Sequence, residues 1–119
     1  RHLQIKEIVE EIERKVLRKT GDVIIFEGED WWPVLMLGSA ASKIVRAYKK
    51  PVFLYNQKNG VCQGAVRTPK DMDSVKAMMK CSKTLETYGG HPQAAGFRIK
   101  AKDLSAFKEC LIKYFKNKC

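Results

Sequence analysis

Val52-Phe53-Leu54-Tyr55-Asn56-Gln57-Lys58-Asn59-Gly60-Val61-Cys62-Gln63-Gly64-Ala65-Val66-Arg67-Thr68 sets two apolar runs on either side of an Asn-Gly pair. Asn-Gly between such runs is the strongest short hairpin signal, because both central residues of the favoured turn need positive φ. Residues 52–55 and 61–68 therefore read as antiparallel strands. In the second strand Gln63, Ala65 and Arg67 point to one face, and Cys62, Gly64 and Val66 to the other. Gly64 inside a strand implies a close neighbour. Arg67 stands at the strand end, beside Thr68-Pro69 and the mouth of a loop.

Working outward toward the N-terminus, residues 36–48 read as a helix. Its apolar stripe is Met36, Leu37, Ala40, Ala41, Ile44, Val45 and Tyr48, and Gly38 to Ala41 make its first turns thin. Pro51 blocks its extension. Residues 22–26 read as a buried strand, closed by a turn at Glu27-Gly28. Trp31 and Trp32 stand side by side. Exposed, they would form a base-stacking platform, but packing of at least one into the core is the preferred reading. Residues 3–19 read as a helix, with Ile5, Ile8, Val9, Ile12 and Val16 on one stripe. Thr20-Gly21 supplies the stop.

Toward the C-terminus, a helix is expected over 71–80 and a short one over 82–88. Then comes Gly89-Gly90-His91-Pro92-Gln93-Ala94-Ala95-Gly96-Phe97, with three glycines and one of the two histidines within nine residues. Such a stretch lets a backbone approach another backbone or a ligand. It reads as a tight loop opening into a strand over 95–100. A last helix over 104–115 has Asp103 as its expected N-cap. Its buried face is Leu104, Phe107, Leu111, Tyr114 and Phe115. The order αβαββαβα predicts an α/β fold with a mixed sheet of about four to five strands flanked by helices.

The chain has 119 residues, 45% hydrophobic and 30% charged, enough for one globular domain with its own core. No apolar run could cross a bilayer, so no membrane partner is expected. The opening at Arg1, without methionine or signal pattern, reads as a piece cut from a longer cytoplasmic protein. Cys62, Cys81, Cys110 and Cys119 are irregularly spaced, without Cys-x-x-Cys, so no zinc site is expected and the four read as reduced thiols. The net charge of +10 suits a polyanion partner.

The stretch from Gly89 to Gly96 closely resembles a signature of the DHH-associated domain of DHH-family phosphoesterases, in the wording nearest the RecJ-type single-strand-specific exonucleases. Gly64-Ala65-Val66-Arg67-Thr68 is similar to the family's Gly-Ser-x-Arg-Ser strand end. Trp32, the run from Gly38 to Ile44 and Lys50-Pro51-Val52 resemble its Trp-led helix, Ala-Ser-Arg-Leu and Arg-Pro-Val. The likeness covers residues 22 to 116. It lacks the family's histidine after the tryptophan and one glycine before Gly38, and Ala65 replaces a serine.

The resemblance implies a linker helix over residues 1–21 and a substrate-binding domain over 22–119. It places catalysis on a separate domain of the same parent chain, where Asp-His-His and further aspartates hold two metals, manganese or magnesium. No catalytic or metal residue is expected in this chain. The implied substrate-binding residues are Arg67, Thr68, Gly89, Gly90, His91, Ala94, Ala95 and Gly96. Glycine N–H groups can form an anion nest, Arg67 offers a planar fork, and His91 can donate to a phosphate oxygen. Ala95 is expected to stay small to keep the space above the loop open. The implied substrate is single-stranded DNA. The alternatives are a domain serving short oligonucleotides or cyclic dinucleotides, and a non-enzymatic interaction module.

Overall fold

A computed structural model describes residues 2–19 and 21–117. The elements are α1 (His2–Arg18), β1 (Ile25–Glu29), α2 (Val34–Tyr48), β2 (Val52–Lys58), β3 (Val61–Arg67), α3 (Ser74–Lys80), β4 (Thr87–His91), β5 (Ala94–Lys100) and α4 (Leu104–Lys116). The five strands form one sheet in the order β1-β2-β3-β5-β4. Among the described residues only the β1–β2 pair is parallel. This is the expected α/β fold with a mixed sheet.

The central hairpin turns at Asn59 and Gly60, with φ of 54° and 77°, as an Asn-Gly turn requires. The alternation in β3 places its residues in two separate cores. Cys62 and Val66 join a cluster under α3 and α4 that holds all five phenylalanines: Phe26, Phe53, Phe97, Phe107 and Phe115. Ala65 packs at the margin of a second cluster beneath α1 and α2, with Ile8, Ile12, Ile44 and Leu54.

One row across the sheet consists of glycines and aromatic residues: Gly28, Tyr55, Gly64, Phe97 and Tyr88 are successive register partners. The Tyr55 ring occupies the space where a Cβ on Gly28 would stand, and the Phe97 ring does the same at Gly64. Each ring thus covers a neighbouring strand's bare backbone. Burial, with help from nearby Cys62, Glu27 and Glu29, pushes the Tyr55 phenol up to about 12.

Several expectations need correction. Glu27-Gly28 is not a turn but lies inside β1. Glu27 stays buried there because Lys19 reaches it at 3.0 Å from the end of α1, while Lys15 pairs with Glu29. No helix spans 82–88: a single 3-10 turn at Ser82–Thr84 gives way to β4. The Glu86 N–H already donates to the Arg98 carbonyl, so edge pairing with β5 takes over. The glycine-rich stretch is therefore a strand pair with a two-residue turn rather than an open loop. Asp103 makes no side-chain cap, because another 3-10 turn precedes α4, whereas Asp73 caps α3 through the Lys76 N–H at 3.0 Å.

The cysteines also depart from expectation. Cys81 and Cys110, 29 residues apart, form a disulfide between the end of α3 and α4. Sequence spacing cannot show that these two helices pack together. Cys62 is a buried free thiol, whose pKa burial raises. Cys119 and Thr20 lie outside the described residues. Of the tryptophans, Trp32 is fully buried and donates to Glu11 at 2.8 Å, while Trp31 stays exposed.

Gly64→Val should destabilise the chain by about 3 kcal/mol, lowering Tm by roughly 10 °C. The added Cβ would stand 2.6 Å from the Leu54 carbonyl as well as inside the Phe97 ring. Thermal denaturation followed by circular dichroism measures this directly.

Candidate nucleic-acid interface

The sheet has one covered half and one bare half on the side where α2 packs. Strands are ≈ 4.8 Å apart and side chains on one face repeat every two residues, so the register fixes a grid. Its first row is Arg67, Ala94, His91; its second is Ala65, Gly96, Gly89; its third is Gln63, Arg98, Thr87. Gln63, Ala94, His91, Gly89, Arg98 and Thr87 are all exposed. The middle row has no side chain larger than a methyl group. The result is a trough with a floor of backbone, between one row holding Arg67 and His91 and another holding Arg98. Arg67 and His91 are two strands apart, about 10 Å.

Arg67 is the anchor of the first row. Its Nε donates to Ser42 Oγ at 3.2 Å and one Nη donates to the Val66 carbonyl at 2.8 Å. The other Nη would lie 2.6 Å from a Cβ on Gly38, so the thin opening of α2 admits the guanidinium. Burial lowers the Arg67 pKa from its ordinary value, although guanidinium keeps its charge at any cellular pH. Among the described residues no carboxylate pairs with it. A partly desolvated cation without a protein counter-ion is the strongest anion-seeking feature of this face.

The two glycines before His91 do different work. Gly90 has φ of +133°, and a Cβ there would meet the Ala94 carbonyl and Ala95 Cα, both at 2.7 Å. The backbone requires it. Gly89 has an ordinary strand backbone, and a Cβ there would meet nothing within 4 Å. No packing neighbour requires glycine at 89, and its missing side chain leaves room on the trough floor.

The turn at Pro92-Gln93 is clasped from behind. The Pro92 carbonyl accepts from the Ser74 N–H (2.8 Å), Ser74 Oγ (2.8 Å) and Thr68 Oγ (3.0 Å). The single Thr68 hydroxyl proton is shared between that carbonyl and the Met72 carbonyl at 2.9 Å, and the Thr68 N–H reaches the Gln93 carbonyl. Thr68 and Ser74 are buried. The structure thus sets Thr68 behind the turn that carries His91, apart from the trough. Ala95 also lies apart from it. It is buried against the phenylalanine core, so a larger side chain there would meet that core and not the space above the strand. Arg67, Gly89, His91, Ala94 and Gly96 do come together on one face.

The sequence reading missed Arg98 and Gln63. Their signal was the even spacing from Gly96 and from Arg67, visible once the register is known. Beyond the third row, a groove of about 430 Å³ continues between Pro33-Val34 at the start of α2 and Lys58-Asn59 at the hairpin tip. Arg98 is held on this side by Glu86 at 3.4 Å. Residues 31–119 carry 17 lysines and arginines against five carboxylates, so the basic excess belongs to the chain beyond β1. Among the described residues no three of His, Cys, Asp and Glu converge. The donors present among the described residues do not fit a two-metal centre.

These features define an α/β domain with a basic, glycine-floored sheet face. The DHHA1 domain family matches residues 20–117, and the chain belongs to that family. It is 29% identical over 100 residues to the single-stranded-DNA-specific exonuclease RecJ of Bacillus subtilis, covering 82% of this chain but 12% of that protein. Against RecJ of Thermus thermophilus it is 37% identical over 73 residues, 61% of this chain and 10% of that protein. The crystal structure of Thermus thermophilus RecJ in complex with Mg²⁺ superposes with a TM-score of 0.76, at 29% identity, over 97% of this chain and 18% of that one. The C-Ala domain of Aquifex aeolicus alanyl-tRNA synthetase shares the fold at a TM-score of 0.55 and 20% identity, over 75% of this chain and 86% of that domain.

Gly90→Ala should cost about 1–3 kcal/mol, and Gly89→Ala less than about 0.5 kcal/mol. Urea denaturation of the two variants beside the parent separates a glycine that the backbone needs from one that it does not.

Proposed function

We propose that this chain is the substrate-holding domain of a RecJ-like exonuclease, gripping single-stranded DNA for a catalytic domain on the same parent protein. The observation that carries the reading is Arg67: a partly buried cation with no carboxylate partner among the described residues, at the head of an exposed trough with no large side chain on its floor. Its natural partner is a phosphate oxygen. Gly89, Gly96 and Ala94 let a sugar–phosphate backbone lie close to the sheet, and His91 offers a further donor across from Arg67. Arg98, although paired with Glu86, offers further N–H donors two rows along. Thr68 acts by holding the turn beneath His91.

The metal chemistry would belong to the partner domain, consistent with the magnesium and manganese in the RecJ structures that this chain resembles. A parent protein with this substrate would work in the cytoplasm. The alternative substrate, a short oligonucleotide or cyclic dinucleotide, would use only the first row. The length of the trough, three rows and a continuing groove, favours a longer strand.

Fluorescence anisotropy with a labelled oligothymidylate tests the reading. Binding should weaken as salt rises, with log K falling linearly in log salt. Arg67→Ala should weaken binding about tenfold and reduce the magnitude of the salt slope by about one. Gly89→Leu should weaken it by a similar factor with the fold intact. Equal binding by all three proteins would remove Arg67 and the trough from the account, and binding of dinucleotides as tightly as of long strands would favour the alternative.

A further inference from the structure

The opposite side of the molecule carries a second, chemically different concavity. It lies between the end of α3 with its following 3-10 turn and the outer side of α4, with a volume of about 1020 Å³. Its walls are mostly apolar. The Cys81–Cys110 disulfide lies within it and ties the two walls together. Met79 lines it and is 59% exposed, although it is a large apolar residue on a short helix.

The lining is also charged in one sense. Lys76, Lys80, Lys83 and Lys113, all exposed, share the lining with the buried Cys81, and no aspartate or glutamate contributes to it. Among the described residues none of these four lysines forms an ion pair. An apolar floor inside a lysine rim fits one kind of occupant. A nucleic-acid backbone would use the lysines but gain little from Met79 and the disulfide. A neutral hydrophobic helix would use the floor but leave the rim uncompensated. An acidic peptide with large apolar side chains satisfies both, its anchors in the groove and its carboxylates on the rim.

We propose that this groove is a protein-docking site for an acidic, apolar-anchored peptide segment of a partner protein. It lies on the far side of the sheet from the trough, so a peptide and a nucleic-acid strand can be held at once. The proposal does not depend on the trough being a nucleic-acid site.

The probe is a fluorescein-labelled peptide of aspartate and glutamate with leucine or phenylalanine at every third position. The control replaces the apolar residues by alanine. Anisotropy should show the parent chain binding the probe at least about tenfold more tightly than the control. Met79→Glu, and separately the pair Lys80→Glu and Lys83→Glu, should each weaken it about tenfold. These side chains are exposed, so circular dichroism should stay unchanged. An oligothymidylate should bind the Met79→Glu variant as it binds the parent and should not displace the peptide. Equal binding of probe and control, displacement of the probe by oligothymidylate, or no binding at ~1 mM would each overturn the proposal.

Discussion

The guanidinium of Arg67 sits on the rim of the sheet because Gly38 has no side chain. Any larger residue at that point in α2 would push the arginine out of its slot or the helix off the sheet. The contact joins the central hairpin to the helix that covers it, and Ser42 one turn later fixes the guanidinium plane. Two elements distant in sequence are thus interlocked around a single charge. Burying that charge without a carboxylate costs stability, and a phosphate ligand would return part of it.

The rest of the bare face follows from how the sheet distributes bulk. The row of Gly28, Tyr55, Gly64, Phe97 and Tyr88 sends its aromatic rings into the core under α3 and α4. The next row on the opposite face shrinks across the sheet from Leu54 under α2 to Ala65, Gly96 and Gly89. α2 covers the large end and nothing among the described residues covers the small end. A trough with a backbone floor is what remains. Charge follows the same division, since α1 and β1 commit carboxylates to Trp32, Tyr48 and the lysines at the end of α1.

Much of this was legible in the sequence where one local rule decided the outcome. Asn59-Gly60 placed the hairpin, its alternation placed Arg67 and Val66 on opposite faces, and the isoleucine stripe placed α1. Reading failed where a partner distant in sequence overrode the local signal. Glu27-Gly28 looks like a turn until lysines from the first helix and the Tyr55 ring are brought to it. Residues 82–88 look helical until β5 offers its edge. The family wording named residues of the candidate face but could not separate Gly89 and His91, on the open face, from Ala95, on the buried one. Nor could it tell that Thr68 supports the turn from behind. Those distinctions depend on register, which a one-residue slip would invert.

The proposed function stands or falls on whether nucleic acid lies on the Arg67 face. The most direct measurement is an NMR titration of the isotope-labelled chain with a 5′-phosphorylated oligothymidylate, following backbone amides and arginine side chains. Perturbations should concentrate on Arg67, Gly89, His91, Gly96 and Arg98, and extend to Gln63 with longer strands. Perturbations confined to the lysines of α3 and α4, or spread evenly over the basic surface, would contradict it.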